Sequence, residues 1–228
     1  MLEISNIEVS GLESAVVSCR NAMRVEMPDV GNSEIEFGKG LERARRLVRA
    51  SFCGRDGARC HDNFLTGIVV AFDMKYTQYI TKQMQRYHWF QYVSSSSLMH
   101  RITGMDFGRC VNEWVSQDIV DHMKGLVDEY NRFVSDGVSR WSFVRRGGDV
   151  VVVDTHKDVL YCQFMRIISD CPMGTELFVH VCTNYKQLQT MYHQRKNHKL
   201  REDWGAFCKF VESLPYAKDL IICCDIEK

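Results

Sequence analysis

Residues 176–195 have the sequence ELFVHVCTNYKQLQTMYHQR, and this stretch says most about the fold. Its first seven residues, 176–182, are rich in apolar and β-branched side chains and predict a strand. Asn184 stands where a helix N-cap is expected, and Gln187 three residues later completes a capping-box pattern. The stretch therefore predicts a strand that leads directly into a helix over about residues 185–197.

Arg195 belongs to the apolar side of this predicted helix. That side has the spacing i, i+3, i+4 and i+7 and consists of Leu188, Met191, Tyr192 and Arg195. A guanidinium on such a face extends to solvent, meets a carboxylate, or holds an anion or carbonyl group of a ligand, because unpaired burial costs several kcal/mol. We favour the ligand, and the same argument applies to Arg166 in the apolar run QFMRIISDCP.

The rest of the chain combines separated strands with long helices. Hydrophobic periodicity predicts strands at 2–10, 67–74 and 219–226, a hairpin over 141–154, and helices at 14–23, 41–52, 76–89, 113–134, 161–168 and 202–213. The strands do not alternate regularly with helices, which favours the α+β class. No linker rich in Pro, Gly or Ser divides the 228 residues, so one domain over residues 1–228 is predicted.

Composition limits the classes of function. The 29 Lys and Arg balance 29 Asp and Glu, and zero net charge argues against nucleic-acid binding, although a local arginine cluster is enough for a small anionic ligand. The ten cysteines form no C-x-x-C pair and His193 and His198 are five residues apart, so no metal site is predicted. Without a signal peptide or a long apolar run, we expect a soluble, cytoplasmic protein with free thiols and no membrane association.

A second informative stretch is RYHWFQYVSSSSLMHR, residues 86–101. The predicted helix over 76–89 ends here in an aromatic, cationic segment that runs into a loop of four serines. Gln83 and Arg86 are neighbours on one face of that helix, either as a solvated polar face or as part of a site. Arginines on half-buried faces, nearby aromatic rings and a hydroxyl-rich loop together indicate a pocket for a phosphorylated planar ligand.

The order of these motifs resembles the flavin-dependent thymidylate synthases, also called thymidylate synthase complementing proteins. That family has Arg-His-Arg, seven residues and a Ser; here Arg86-Tyr87-His88 is followed by seven residues and Ser96, with Gln83 upstream. The family then has Arg-Ile-Val-Leu-Pro, a strand, and Asn-Ala-Arg-x-Leu with an Arg eleven residues after the Asn. The corresponding pieces of this chain are Arg166-Ile167-Ile168, Pro172, the strand ELFVHVC, Asn184-Tyr185-Lys186-Gln187-Leu188 and Arg195.

The resemblance implies a central mixed or antiparallel sheet packed with long helices, and an inserted hairpin near residues 138–160. The residues that it implies for dUMP are Gln83, Arg86, Ser96, Arg101, Arg166 and Arg195, with Arg195 as the catalytic group facing the uracil. The residues that it implies for FAD are Arg86, Tyr87, His88, Asn184 and Lys186. The implied enzyme methylates dUMP to dTMP with methylenetetrahydrofolate and reduced FAD, uses NADPH to refill the flavin, and is a homotetramer with shared active sites.

The chain departs from the family's pattern at several of these positions. Tyr87 and His88 stand where the family has His and Arg, and Leu98 stands where it has an Arg, with Arg101 three residues further on. Two other functions therefore stay open. One is a different pyrimidine-deoxynucleotide enzyme on the same scaffold, such as one that hydroxymethylates dUMP. The other is a non-catalytic homologue that binds a ligand or acts through partner proteins.

Overall fold

The computed structural model describes residues 2–21, 24–25, 33–53 and 61–222, and at 33–35, 52 and 53 it describes the backbone. The strands are β1 (Glu3–Ser10), β2 (Val69–Thr77), β3 (Gln91–Ser95), β4 (Trp141–Val144), β5 (Val150–Val153) and β6 (Glu176–Asn184). The helices are α1 (Leu12–Ser18), α2 (Ser33–Cys53), α3 (Gln78–Met84), α4 (Leu98–Arg101), α5 (Gln117–Asp136), α6 (His156–Asp170), α7 (Tyr185–Arg195), α8 (Arg201–Ser213) and α9 (Ala217–Leu220).

The contacts within the chain divide it into two compact units. Unit 1 consists of Met1–Tyr76, Thr81–Ser95 and Phe178–Lys228, and unit 2 consists of Thr77–Ile80 and Ser96–Leu177. The α+β class with an antiparallel sheet is confirmed. The prediction of a single domain stays a prediction. None of the described helices is long and apolar enough to cross a membrane.

Unit 1 is built on a four-stranded sheet with the strand order β1-β2-β6-β3. The outer pairs are antiparallel, with Glu3 opposite Lys75 and Gln91 opposite Cys182. In the central pair, the Tyr185 N–H donates to the Ile68 carbonyl, whereas the His180 ring meets Asp73, so β2 and β6 also run in opposite directions. Alternate residues of β2 are buried, as the period of two in a strand requires for a sheet with one covered face.

The helices of unit 1 pack through apolar and aromatic side chains. Gly40 of α2 lies so close to α1 that a Cβ there would come within 2.9 Å of the Val16 carbonyl oxygen, which explains the glycine. An aromatic cluster fills the core next to the sheet and consists of Phe72, Phe90, Trp204, Phe207 and Phe210. Trp204 is 1% exposed, and the α8 helix that carries it also packs on α7.

Unit 2 is built on the pair α5 and α6. Its core is a cluster of Ile102, Met105, Phe107, Val120, Met123, Leu126, Val127 and Ile167. The fully buried Gln163 of α6 donates to the Leu126 carbonyl of α5 at 2.9 Å, which satisfies its amide within the core. The predicted hairpin is confirmed as β4 and β5, which pair from Trp141–Val153 to Val144–Val150. That this hairpin is an insertion stays a prediction.

The predicted secondary structure is wrong in three places. The helix predicted over 76–89 begins only at Gln78 and ends at Met84, because Tyr76 and Thr77 extend β2 and residues 85–90 form turns. Residues 91–95 form β3, so Ser94 and Ser95 lie in a strand instead of a four-serine loop, and pairing with β6 outweighs their local preference. In the predicted last strand over 219–226, the described residues continue α9 and a turn, and residues 223–226 lie outside the described part.

Candidate functional site

Arg195 is the last residue of α7 and is half-buried in unit 1. Its Nε–H donates to the Tyr87 hydroxyl oxygen at 2.7 Å, and its Nη1 donates to Gln83 Oε1 at 3.3 Å. Within the described part of the chain no carboxylate forms an ion pair with it. Of the alternatives left open by the sequence, the carboxylate partner is therefore absent from the described residues, and neutral oxygen atoms hold the guanidinium.

Two aromatic rings complete the surroundings of Arg195. Its guanidinium carbon is 4.5 Å from the centroid of the Trp204 ring and 5.4 Å from that of Tyr87, within the range of cation–π contacts. The Trp204 indole N–H donates to Gln83 Oε1 at 3.2 Å, so this one oxygen accepts from both Trp204 and Arg195. The Tyr87 hydroxyl in turn donates to Gln194 Oε1 at 3.0 Å.

The donors that remain in this group of residues define its chemistry. A guanidinium has five N–H groups, and the described residues accept from two of those of Arg195, which leaves three, one on Nη1 and both on Nη2. Gln83 Oε1 accepts two hydrogen bonds, and its amide nitrogen makes none with the residues that the structure describes. Such a surface of donors with one positive charge suits the carbonyl or phosphate oxygens of a ligand.

The start of α7 explains the spacing between Asn184 and Arg195. Asn184 Oδ1 accepts from the Gln187 N–H at 2.9 Å, so the predicted N-cap is confirmed. Gln187 Oε1 accepts from the backbone N–H of Trp89 at 3.2 Å and so joins α7 to the turns after α3. Eleven residues of α-helix make about three turns and about 16 Å. The cap thus fixes where the helix begins, and the helix carries Arg195 to its other end.

The turns after α3 place Tyr87 inside and its neighbours outside. The Tyr87 N–H donates to the Met84 carbonyl at 3.1 Å, and the Phe90 N–H donates to the Tyr87 carbonyl at 3.2 Å. Tyr87 and Phe90 are buried, whereas Arg86, His88 and Trp89 are exposed. Among the predicted ligand-binding residues, Gln83 and Tyr87 therefore come together with Arg195, and Arg86 and His88 lie at the surface of the same unit.

Lys186 forms an ion pair that its sequence context did not indicate. Its Nζ contacts the carboxylate of Asp62, which is 1% exposed, and a second contact at 3.3 Å joins it to Gln189 Oε1. The ammonium group thus neutralises a buried charge and ties the first turn of α7 to the segment before β2. Asn184 and Lys186, both predicted to line FAD, have structural tasks at this end of the helix.

The other predicted nucleotide-binding residues, Ser96, Arg101 and Arg166, belong to unit 2. Ser96 follows β3 and Arg101 ends α4, and both are half-buried. Arg166 Nη1 donates to Gln163 Oε1 at 2.9 Å and lies 3.4 Å from Glu129 Oε2, with the guanidinium over the stacked rings of Trp141 and Phe143. Arg166 lines a groove of about 520 Å³ in this unit.

Trp204, Gln194 and His198 were not predicted from the sequence as part of the site. Burial lowers the pKa of His198 from its usual value, and the positive charges of Arg195 and Lys199 lower it further. Its Nδ1 accepts from the Leu200 N–H at 3.1 Å, which requires the neutral ring.

The apolar stripe Trp204, Phe207, Cys208 and Val211 in α8 was a signal that Trp204 is buried, but not that it meets Arg195.

Comparisons with known proteins place the fold. No family model matches the chain, and no curated protein matches it. Two structures of thymidylate synthase ThyX from Helicobacter pylori, both with FAD and dUMP, match with TM-scores of 0.60 and 0.57 at 14% and 13% identity. The first match covers 97% of this chain and 99% of that one, and the second covers both chains fully, at 100%.

A third solved structure is the UMP/dUMP methylase PolB from Streptomyces cacaoi, bound with 5-Br UMP. It matches with a TM-score of 0.54 at 11% identity over 98% of this chain and 94% of that one. The likeness extends over nearly the full length of each chain, so it covers the whole arrangement of elements and confirms the predicted structural resemblance. The chain, a divergent one in sequence, therefore has the fold of the flavin-dependent thymidylate synthases.

Proposed function

We propose that this chain is an enzyme that binds dUMP and methylates it to dTMP with methylenetetrahydrofolate and reduced FAD. The observation that supports this most is the arrangement about Arg195. There neutral groups orient a guanidinium of which three N–H donors, and the neighbouring amide nitrogen of Gln83, make no hydrogen bond with the described residues. A uracil ring offers carbonyl oxygens that can accept from such donors, and the solved structures with this fold contain dUMP or a UMP analogue.

Arg195 is the proposed catalytic group because of what it does to a uracil carbonyl. Hydrogen bonds from a fixed cation to a carbonyl oxygen stabilise negative charge there, so electron density is available at C5, where the new carbon is attached. The guanidinium is already oriented before a ligand arrives, so little reorganisation is needed. Gln83 donates beside it and completes the recognition of the base.

The phosphate of dUMP needs further cations and hydroxyl groups. Arg86 is exposed and makes no ion pair with the described residues, so its charge is available. We propose that Ser96, Arg101 and Arg166 also contribute, as the resemblance implies, in a homotetramer whose subunits share their sites. In that arrangement Arg166 exchanges part of its contact with Glu129 for the nucleotide.

For FAD, we propose that Arg86 and His88, which are both exposed in the turns after α3, contribute a cation and an imidazole. Tyr87, Asn184 and Lys186 contribute through the shape of the site, since their polar atoms contact Arg195, Gln187 and Asp62. Bound reduced FAD would supply the hydride that completes the methyl group, with the one-carbon unit from the folate and NADPH as the reductant.

Isothermal titration calorimetry with dUMP tests the proposed function. We expect binding by the full chain, and a loss of about a hundredfold or more in Arg195→Ala, because a positive charge with several donors is removed. The matched control is Arg146→Ala, since Arg146 is exposed in the hairpin turn. Absence of dUMP binding by the unaltered protein would refute the proposal. The absorbance spectrum of the purified protein, before and after addition of FAD, tests the cofactor in the same preparation.

A second candidate function is another one-carbon modification of dUMP, such as hydroxymethylation. The ion pair between Lys186 and buried Asp62 favours it, together with Tyr87 at the family's His position, because both alter the proposed flavin side while leaving the base-binding donors. Mass spectrometry of the nucleotide product separates the two functions. A chain that binds dUMP but gives no product with folate and reductant would be a non-catalytic homologue.

A further inference from the structure

The guanidinium of Arg195 is held at three points that together fix its orientation. The guanidinium carbon lies over the Trp204 ring, 4.5 Å from its centroid, so the ring restrains one side of the group. The Tyr87 hydroxyl, 2.7 Å from Nε, and Gln83 Oε1, 3.3 Å from Nη1, restrain its edge. A planar group with one face and two edge atoms restrained has no rotation left, so its remaining N–H groups point in set directions.

The residues that hold Arg195 are themselves restrained. The Trp204 side chain is 1% exposed and its indole N–H is bonded to Gln83, so the ring has one orientation. The Tyr87 hydroxyl donates its proton to Gln194 Oε1, which leaves its lone pairs for Arg195. Gln83 Oε1 accepts from both Arg195 and Trp204, which fixes its amide with the nitrogen turned away from them. Each contact therefore supports the others.

We propose that Tyr87 and Trp204 are positioning residues for Arg195, which hold its free N–H groups toward the base of a pyrimidine nucleotide. The nucleotide part of this proposal rests on the proposed function, whereas the restraint of Arg195 does not. Tyr87 takes this role through its phenol oxygen, which reaches Nε while its ring remains buried. In this chain the second residue of the Arg86-Tyr87-His88 motif thus serves the base-binding arginine.

NMR of the arginine side chains tests the restraint without any ligand. In the unliganded full chain we expect the Nε–H signal of Arg195, assigned by its disappearance in Arg195→Lys, to exchange slowly with water and to show a rigid order parameter. Tyr87→Phe, which keeps the ring and removes the hydroxyl, and Trp204→Phe, which removes the indole N–H, should both make this group mobile. The matched controls Tyr161→Phe and Trp114→Phe alter exposed rings and should leave the signal unchanged. A mobile Nε–H in the unaltered protein would overturn the proposal.

A double-mutant cycle tests the consequence for the nucleotide. We expect Tyr87→Phe and Trp204→Phe each to weaken dUMP binding about tenfold, since each removes a restraint on a charged donor. In an Arg195→Lys background the same changes should weaken the residual affinity less than twofold, because their effect acts through the guanidinium. A role in folding alone would lower the melting temperature with equal losses of affinity in both backgrounds, and that result would overturn the proposal.

The two experiments separate this proposal from the proposed function. If the unaltered chain shows a rigid Arg195 that loosens in Tyr87→Phe but does not bind dUMP, the positioning holds and the nucleotide is wrong. If the chain binds dUMP through Arg195 while Tyr87→Phe and Trp204→Phe leave both the NMR signal and the affinity unchanged, the nucleotide is right and the positioning is wrong.

Discussion

Arg195 in unit 1 and Arg166 in unit 2 occur in similar apolar helical sequences but have different surroundings. Arg195 contacts two neutral oxygens and two aromatic rings, whereas Arg166 contacts the carboxylate of Glu129, Gln163 and the rings of Trp141 and Phe143. The carboxylate neutralises Arg166, while the charge of Arg195 has no such partner among the described residues. From the charge balance around each arginine, and not from its burial, we infer that Arg195 is the one prepared for a ligand.

The largest expected effect is on nucleotide affinity. Arg195→Ala should weaken dUMP binding by about a hundredfold, whereas Arg166→Ala should weaken it by less than about tenfold, because Glu129 already balances the charge of Arg166. Calorimetry with both variants, and with Arg146→Ala as the matched exposed control, measures the difference. Equal losses in the two variants would show that the carboxylate partner does not distinguish the two arginines.

The ion pair of Lys186 with Asp62 should matter most for stability. Lys186→Met leaves the Asp62 carboxylate buried without its cation, and we expect the free energy of unfolding to fall by about 2–3 kcal/mol. Denaturant unfolding measures this loss. The double variant with Asp62→Asn should recover most of it, because the uncompensated charge is then gone. Lys82→Met, at an exposed position of α3, is the matched control, and a similar loss there would contradict the explanation.

The pair in unit 2 should contribute less. Glu129 and Arg166 side chains are 29% and 34% exposed, so water screens the pair and Glu129→Gln should lower the free energy of unfolding by about 1 kcal/mol or less. Urea unfolding of this variant measures the effect. The variant also leaves Arg166 with neutral oxygens and rings, as in the surroundings of Arg195. A loss above about 3 kcal/mol, the range of a buried pair, would remove the contrast between the two units.

The smallest expected effect is a dependence of stability on pH through His198. The pKa of this ring is lowered in the folded chain, so the unfolded chain takes up its proton first and stability falls as pH drops below the usual value of about 6.5. Protonation also removes the Nδ1 acceptor for the Leu200 N–H. The melting temperature of the unaltered chain should therefore fall more between about pH 7.5 and pH 5.5 than that of His198→Asn. An equal fall in both proteins would assign the pH dependence to other groups.

Local patterns in the sequence were enough for most of the elements. The strand and helix around Asn184 were predicted because alternation, an N-cap and a helical stripe all agree there, and β4 and β5 were predicted from the Gly147-Gly148 turn. Residues 85–95 were predicted wrongly, because the apolar spacing continues past Met84 and the pairing of β3 with β6 is decided elsewhere in the chain.

The candidate site was predictable to a smaller extent. Helical spacing put Arg195 on an apolar face, and the motif put Gln83 and Tyr87 forward, but Trp204 comes from another helix whose approach no local pattern encodes. The carboxylates that pair with these cations are likewise distant in sequence. Glu129 pairs with Arg166, and Asp62 pairs with Lys186. Partners of this kind depend on tertiary packing, so the sequence alone does not separate a structural cation from a functional one.

The direct junction between β6 and α7 couples the orientation of the helix to that of the strand. The strand ends at Asn184 and the helix begins at Tyr185 without a connecting loop. Arg195 lies about 16 Å along the helix from this junction, so a change in strand orientation is passed on to it. A tilt of about one degree at Asn184 moves the guanidinium by about 0.3 Å over that length. We therefore expect substitutions at buried sheet positions such as Val181 to cause small changes in the nucleotide affinity proposed above. Directed evolution of substrate preference would find useful changes in this sheet as well as in the pocket.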